Sequence, residues 1–223
     1  MAQSAGQRPA RAGQTLILIG QYDSPFVRRV GIALTLYGLP FQHRPWSTFA
    51  DADKIRPYNP LVRVPTLVLD DGEALIESHN ILDYLDSQVP ADRQLYPLTE
   101  PARHRALKIA ALATGVADKA VSLFYETRLH REVSDVWVNR CRSQIADVLA
   151  ALEADRAERV GEYWFGDRIS HADIAVAAAL SFLCEVHPSL ASAGEYPALR
   201  AHVARLEALP AFQVIKQPFI APT

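Results

Sequence analysis

The alternation of hydrophobic and polar residues divides the chain into a first half of strands and helices and a second half of helices alone. In the first half, short apolar or alternating runs predict strands at residues 15–20, 41–46, 66–69 and 74–76. Helical spacing of apolar residues predicts helices at 25–37 and 78–87, and residues 50–59 form a polar connection with a weak helical signal. The order β-α-β-(α)-β-β-α indicates a mixed four-stranded sheet flanked by helices.

Beyond this half, apolar residues recur only at spacings of three and four. They predict helices at residues 101–130, 135–158, 171–187 and 197–209. Residues 90–100 are bounded by prolines and form the predicted linker. We therefore expect a disordered tail at 1–14, an α/β domain at 15–89 and an all-helical domain at 101–223.

Composition narrows the class of protein. Of 223 residues, 49% are hydrophobic and 22% are charged, which is typical of a globular protein. The net charge of −2 provides no basic surface for nucleic acid or anionic lipid. The N-terminus lacks the apolar stretch of a signal peptide, and no apolar run approaches the ~18 residues that span a bilayer. We expect a cytoplasmic protein with neither nucleic acid nor membrane as a partner.

Cysteines and histidines argue against redox and metal chemistry. Cys141 and Cys184 form no Cys-x-x-Cys pair, and we expect both to be buried in helices as small hydrophobic residues. No two of the seven histidines lie within four residues of each other, so the helical pair of metal ligands is absent. We expect no metal ion.

Two predicted helix starts carry polar residues suited to a ligand. Ser24 precedes Pro25 and predicts the N-cap of the first helix. Glu77 and Ser78 open the helix at 78–87, where unpaired N–H groups and a partial positive charge suit a carboxylate. A purely structural role, as caps and as a charge that complements the helix dipole, stays open for all three.

A third polar segment is structural. Ser170 and Asp173 have the spacing of a reciprocal capping box, and Ile169 and Ile174 match the hydrophobic staple around it. Residues this close on one helical turn cannot form the nucleophile, base and orienting group of a catalytic triad, so we assign no catalytic role to Ser170, His171 or Asp173.

Together these segments resemble the soluble glutathione S-transferase superfamily over about residues 15–220. YDSPFVRRV at 22–30 is similar to serine-type members such as the plant tau class and related bacterial proteins. NPLVRVPTL at 59–67 resembles the family's Asn-Pro-x-x-Lys-Val-Pro-x-Leu segment, in which the second proline is cis. The resemblance implies a thioredoxin-like N-terminal domain, an all-helical C-terminal domain and a homodimer that acts in detoxification.

The resemblance also implies a role for each matching residue. Ser24 corresponds to the catalytic serine whose hydroxyl hydrogen-bonds the glutathione sulfur. Val64 corresponds to the residue whose backbone binds the cysteinyl part, and Glu77 and Ser78 to the pair that binds the γ-glutamyl end. Arg63 replaces the usual lysine and keeps a charge that could reach a glutathione carboxylate.

Several points remain open at this level. Tyr22 is a second candidate for the hydroxyl that acts on the sulfur, although its position fits the serine pattern less well than Ser24 does. His43 and Lys54 are candidates for a second basic contact. A hydroxyl at position 24 cannot form the mixed disulfide that deglutathionylation requires.

The implied reaction is attack of the glutathione thiolate on a small hydrophobic electrophile, with glutathione as co-substrate and no other cofactor. We expect the electrophile between Ser24 and the early part of the first long helix, near Lys108, Ala111, Leu112 and Gly115. Two alternatives are a non-catalytic binding or interaction protein of the same fold and a glutathione-dependent isomerase of the maleylacetoacetate type.

Overall fold

The computed structural model describes residues 16–192 and 194–222, so the expected tail at 1–14 lies outside the described residues, as does the first residue of the strand predicted at 15–20. The strands are β1 (Leu16–Ile19), β2 (Phe41–Arg44), β3 (Thr66–Val68) and β4 (Ala74–Ile76). They form one sheet in the order β2-β1-β3-β4, with β1 parallel to β2 and antiparallel to β3, and β3 antiparallel to β4. The predicted mixed, thioredoxin-like sheet is confirmed.

The helices in chain order are α1 (Pro25–Tyr37), α2 (Ala52–Ile55), α3 (Ser78–Ser87), α4 (Ala102–Leu129), α5 (Asp135–Ala157), α6 (His171–Val186), α7 (Pro188–Ser192), α8 (Pro197–Glu207) and α9 (Pro210–Val214). The six helices predicted with clear periodicity are confirmed. The prediction missed α7 and α9, because helices of five residues are too short to show a period. It also missed a 3-10 turn at Ala91–Arg93 within the linker.

The end of β1 brings α1 close to the segment that follows α2. Gly20 has φ 125°, and a Cβ there would lie 2.5 Å from Val27 Cγ2 and 2.8 Å from Val64 Cβ. Only a residue without a side chain tolerates both the dihedral angle and the contact. Ser24 and Val64 are therefore held beside the same strand end.

Buried polar contacts join the two domains. Arg28 of α1 donates two hydrogen bonds to the Glu207 carboxylate at the end of α8, each 2.7 Å long. At the other end of α1, the Tyr37 hydroxyl lies 3.0 Å from Nε2 of His171, the first residue of α6. These contacts fix α1, and with it Ser24, against the helical domain.

The predicted capping box of α6 is confirmed. The Ser170 backbone N–H donates to Asp173 Oδ2 at 2.8 Å, and the Trp164 N–H donates to Asp173 Oδ1 at 2.7 Å. Asp173 is fully buried. Its carboxylate is therefore occupied in holding backbone groups.

The two cysteines differ in environment. Cys141 is fully buried in α5, as expected. The expectation for Cys184 is wrong, because this residue is exposed. Phe182 and Leu183 occupy the buried face of that turn of α6, which leaves Cys184 on the outer face.

Among the described helices, none combines the length and the apolar character that a membrane crossing requires.

Candidate functional site

A cavity of about 800 Å³ opens between the two domains. Ser24, Arg63 and Val64 lie on its wall in the N-terminal domain, and residues of α4 and of the C-terminal segment 219–222 lie opposite. Three of the five predicted site residues therefore share one cavity.

Ser24 caps α1 and keeps a hydroxyl proton available. Its backbone is extended, with φ −70° and ψ 121°, and Oγ accepts the Val27 N–H at 3.5 Å. A hydroxyl that accepts one hydrogen bond can still donate another. The partial positive charge at the helix N-terminus favours an anion at the same place. Capping and binding of a thiolate are thus compatible at Ser24.

Tyr22 lies in a different environment. It lines a second cavity of about 260 Å³, and its ring stacks on His43 with 3.8 Å between ring centroids. Burial raises the pKa of Tyr22 to about 12. The two candidates for a second basic contact are also occupied elsewhere, since His43 is stacked and Lys54 forms an ion pair with Asp51 at 2.6 Å. Of these two hydroxyl-bearing residues, Ser24 lines the larger cavity and Tyr22 does not.

The segment after α2 is held by one side chain. Asn59 Nδ2 donates to the Arg63 carbonyl at 2.9 Å, and Asn59 Oδ1 accepts the Leu61 N–H at 3.1 Å. The Val64–Pro65 peptide bond is cis, as the resemblance implies. This loop therefore places Val64 on the cavity wall by contacts made within the loop itself.

Glu77 and Ser78 lie beside the cavity rather than on its wall. Glu77 has φ 66°, a left-handed conformation that favours glycine and that tends to persist at functional sites. Its carboxylate forms an ion pair with Arg63 at 3.3 Å. Ser78 begins α3 and is 2% exposed. The structure thus connects Glu77 to the cavity through Arg63 and places Ser78 just beneath the surface.

The helical wall of the cavity lies further along α4 than expected. None of the four residues predicted near the electrophile lines it: Lys108, Ala111, Leu112 and Gly115. The lining residues of this helix are Asp118, Val121, Ser122, Phe124 and Tyr125. At ~1.5 Å per residue α4 is about 42 Å long, and an earlier turn contacts α3, where Thr114 Oγ1 lies 3.2 Å from His79 Nε2. Only later turns reach the level of Ser24.

Aromatic side chains form this second wall. Phe219 packs edge-to-face against Phe124 at 5.0 Å and against Phe182 at 5.7 Å between ring centroids. Phe49 packs in the same way against Tyr125 at 5.7 Å. We call Phe124, Phe182 and Phe219 the aromatic wall. All three residues line the same cavity as Ser24.

Two family models match the chain. The one described as the glutathione S-transferase N-terminal domain covers residues 18–93, and the one for the C-terminal domain covers residues 135–205. The chain belongs to the glutathione S-transferase family. A crystal structure of a glutathione S-transferase from Methylobacterium radiotolerans in complex with glutathione sulfonate has a TM-score of 0.86 at 30% identity, with 94% of this chain and 98% of that chain covered.

Two curated relatives carry different names. The GST-like protein YibF of Escherichia coli is 31% identical over 74% of this chain and 81% of its own length. A probable maleylacetoacetate isomerase of Vibrio cholerae is 30% identical over 89% of this chain and 94% of its own length. This glutathione S-transferase family member is therefore similar to proteins named for more than one activity.

Sequence reasoning missed Arg29 in this glutathione S-transferase family member. Arg29 is 1% exposed, and its Nη1 donates to Ser78 Oγ at 3.4 Å. Within the described residues, its Nε and Nη2 have no hydrogen-bond partner. Burial lowers the pKa of Arg29. A signal existed, because Arg29 falls on the face of α1 that carries Phe26 and Ala33.

The sequence analysis also missed the C-terminal segment, which borders the cavity. The Phe219 N–H donates to Glu185 Oε2 at 2.6 Å, and the Ile220 N–H donates to Asp23 Oδ2 at 3.0 Å. Residues 216–222 have neither helical nor strand structure. No local pattern could therefore predict that they border the cavity.

Proposed function

We propose that this chain activates the thiol of glutathione through Ser24 and transfers the glutathionyl group, through its sulfur, to an electrophilic carbon of a small hydrophobic molecule. One observation carries the proposal: the Ser24 hydroxyl, at the N-terminus of α1, lies on the wall of the cavity that Val64 and the aromatic wall also border. A sulfur beside Ser24 and an apolar electrophile would meet within this cavity.

The energetic demand on Ser24 is modest. A cysteine thiol has a pKa of ~8.5, so about 3% is thiolate at pH 7. Lowering the pKa by ~2 raises that fraction to about 75% and requires ~2.7 kcal/mol of preferential stabilisation of the anion. A hydroxyl donor together with a helix N-terminus is able to supply this amount. The thiolate then forms the C–S bond, and the leaving group departs with the electron pair.

We assign the remaining contacts to the peptide part of glutathione. Val64 binds the cysteinyl backbone, Glu77 the ammonium group and Ser78 the α-carboxylate, with Arg63 near the cavity rim. Arg29 supports this assignment as a buried cation that donates to Ser78 Oγ. A guanidinium that donates to this oxygen leaves the hydroxyl proton to point at the carboxylate. Glutathione is a co-substrate, and the proposal includes no other cofactor.

Substitution of Ser24 by glycine and by threonine tests the proposal. Glycine keeps most of the capping but removes the hydroxyl, whereas threonine keeps both. For Ser24→Gly we expect turnover at pH 7 to fall by up to about 25-fold, the ratio of the two thiolate fractions, because the helix N-terminus that shares in the stabilisation remains. The thiolate absorbance of bound glutathione should titrate at a higher pH. A folded Ser24→Gly variant with the wild-type rate and thiol pKa would refute the role of Ser24.

Isomerisation is the second candidate, because the Vibrio cholerae relative is named a probable maleylacetoacetate isomerase. Incubation with a cis-dienoic diacid and catalytic glutathione tests it, since an isomerase yields the trans product and leaves glutathione unconsumed. Stoichiometric formation of a thioether with an aryl halide supports transfer instead.

We also propose that the chain forms a two-fold symmetric homodimer, as its family membership suggests. Sedimentation equilibrium at micromolar concentration should give twice the chain mass of 24.7 kDa. A single species at the chain mass would contradict the dimer.

A further inference from the structure

The charges on the cavity wall are unbalanced. Three carboxylates border the cavity, those of Asp23, Asp51 and Asp118. In the part of the chain that the structure describes, Arg63 is the only basic residue on the same wall. Arg63 lies in the half assigned to glutathione, where it pairs with Glu77 at 3.3 Å. The half that borders the aromatic wall contains no cation among these lining residues.

Two of the carboxylates have nearby cations. Asp51 pairs with Lys54 at 2.6 Å, and Asp118 pairs with Lys119 at 3.0 Å. Asp23 differs, because its neighbours are backbone N–H groups and the like charge of Glu185. Burial raises the pKa of Tyr125 first, and the charge of Asp23 raises it further. Asp23 and Tyr125 line the same cavity, so this carboxylate borders the space that we assign to the electrophile.

The position of Asp23 is fixed from two sides. It precedes Ser24 directly, and its Oδ2 accepts the Ile220 N–H at 3.0 Å. Phe219, the preceding residue, packs against Phe124 in the aromatic wall. The same carboxylate thus stands next to the proposed thiolate and holds the segment that contributes the wall.

We propose that this cavity selects an uncharged or cationic aromatic electrophile and rejects one that carries a carboxylate, with Asp23 as the main specificity determinant and Asp118, which Lys119 partly neutralises, as a weaker one. The inference rests on the proposed function. A carboxylate substrate would enter a cavity bordered by these two carboxylates and by the proposed thiolate, and like charges repel more strongly where water is partly excluded. A planar aromatic ring fits edge-to-face or stacked against the aromatic wall. Maleylacetoacetate carries two carboxylates and is excluded by the same argument.

Two matched aryl chlorides test the charge preference: 1-chloro-2,4-dinitrobenzene, which is neutral, and 4-chloro-3,5-dinitrobenzoate, which is an anion. Each kcat/KM is divided by the rate constant of the uncatalysed reaction with glutathione in the same buffer, so intrinsic reactivity cancels. We expect the normalised value to be at least about tenfold larger for the neutral compound, which corresponds to ~1.4 kcal/mol. Equal values, or a preference for the anion, would overturn the inference.

Variants that change these charges test whether Asp23 and Asp118 determine the preference for a neutral substrate. Asp23→Asn keeps an acceptor for the Ile220 N–H and removes the charge, and Asp118→Lys reverses a charge on α4. In the double variant we expect the neutral-to-anion ratio to fall by about fivefold or more. Glu158→Lys is the matched control, because Glu158 is exposed and does not line the cavity. A ratio that changes equally in the control would contradict the assignment.

Product binding separates this inference from the proposed function. S-(2,4-dinitrophenyl)glutathione and its carboxylated counterpart are titrated calorimetrically, without any turnover. Tighter binding of the neutral conjugate with no catalysis would reject the proposed function and keep the charge preference. Catalysis with equal affinities for the two conjugates would reject the charge preference alone.

Discussion

The half of the cavity that we assign to glutathione is built from residues at the ends of strands and helices, whereas the half that we assign to the electrophile is built from side chains of distant segments. Ser24 caps α1, and Val64 lies in a loop that Asn59 holds together. Opposite them, Phe124 comes from about the seventh turn of α4, and Phe219 comes from a segment without regular structure. Recognition by helix termini and backbone groups is encoded locally, and recognition by packed side chains is decided by the tertiary fold.

The largest effect should come from Arg28, on which both halves depend. Its guanidinium pairs with Glu207 across the domain boundary and is almost fully buried. Removing one partner of a buried ion pair costs ~3–5 kcal/mol. We therefore expect Arg28→Ala to lower the free energy of unfolding by about this amount in urea titrations.

The exposed Arg140 of α5 provides the matched control for this change. Arg140→Ala should alter stability by no more than about 0.5 kcal/mol. If Arg28→Ala were as mild as Arg140→Ala, the pair with Glu207 would not be what holds the two halves of the cleft together.

The second prediction concerns the half of the cavity that we assign to glutathione. Ser78→Ala removes the hydrogen bond that we propose to the glutathione α-carboxylate, and hydrogen bonds to charged groups contribute ~1.5–3 kcal/mol. We expect the dissociation constant for glutathione to rise about 10- to 150-fold. The KM for the aromatic electrophile, measured at saturating glutathione, should change less than about twofold. Calorimetry and steady-state kinetics provide the two values, and a parallel loss of both would mean that Ser78 only supports the fold.

The fold was predictable because its signals are local. Ser24 and Pro25 begin α1 where the capping pattern predicts, and Gly38 with φ 65° ends it. Ser170 and Asp173 cap α6 as their spacing predicts. The two helices that were not predicted, α7 and α9, span five residues each and are too short to show a helical period.

The site was predictable only in its glutathione half. Ser24, Arg63 and Val64 lie on the cavity wall, and each stands in a recognisable segment. Arg29 was overlooked because the sequence does not show which residue a buried arginine contacts. Its partner, Ser78, lies far from it in the chain. The early turns of α4 that were expected near the electrophile do not line the cavity, since periodicity identifies a buried face but not the turn that reaches the cavity.

The third prediction concerns the electrophile half alone. Phe219→Ala removes the ring that packs against both Phe124 and Phe182. Edge-to-face pairs contribute ~0.5–1.5 kcal/mol beyond their buried area, so the KM for an aromatic electrophile should rise about 2- to 12-fold. Glutathione affinity should stay unchanged. Phe219→Leu keeps most of the apolar volume, so its KM for the electrophile should lie between those of the wild type and Phe219→Ala. A loss of glutathione affinity in either variant would show that the two halves of the cavity do not act independently.

The smallest effect is expected at Arg63, which lies in the half of the cavity that we assign to glutathione. Its ion pair with Glu77 spans 3.3 Å, with side chains 59% and 46% exposed. Exposed pairs contribute ~0–1 kcal/mol and weaken with salt. Arg63→Ala should therefore raise the glutathione dissociation constant by no more than about fivefold in low salt, and this difference should shrink as ionic strength rises. Arg63→Lys keeps the charge and should lose little. A loss of tenfold or more that persists in high salt would instead place Arg63 in direct contact with a glutathione carboxylate, because only a desolvated pair resists screening.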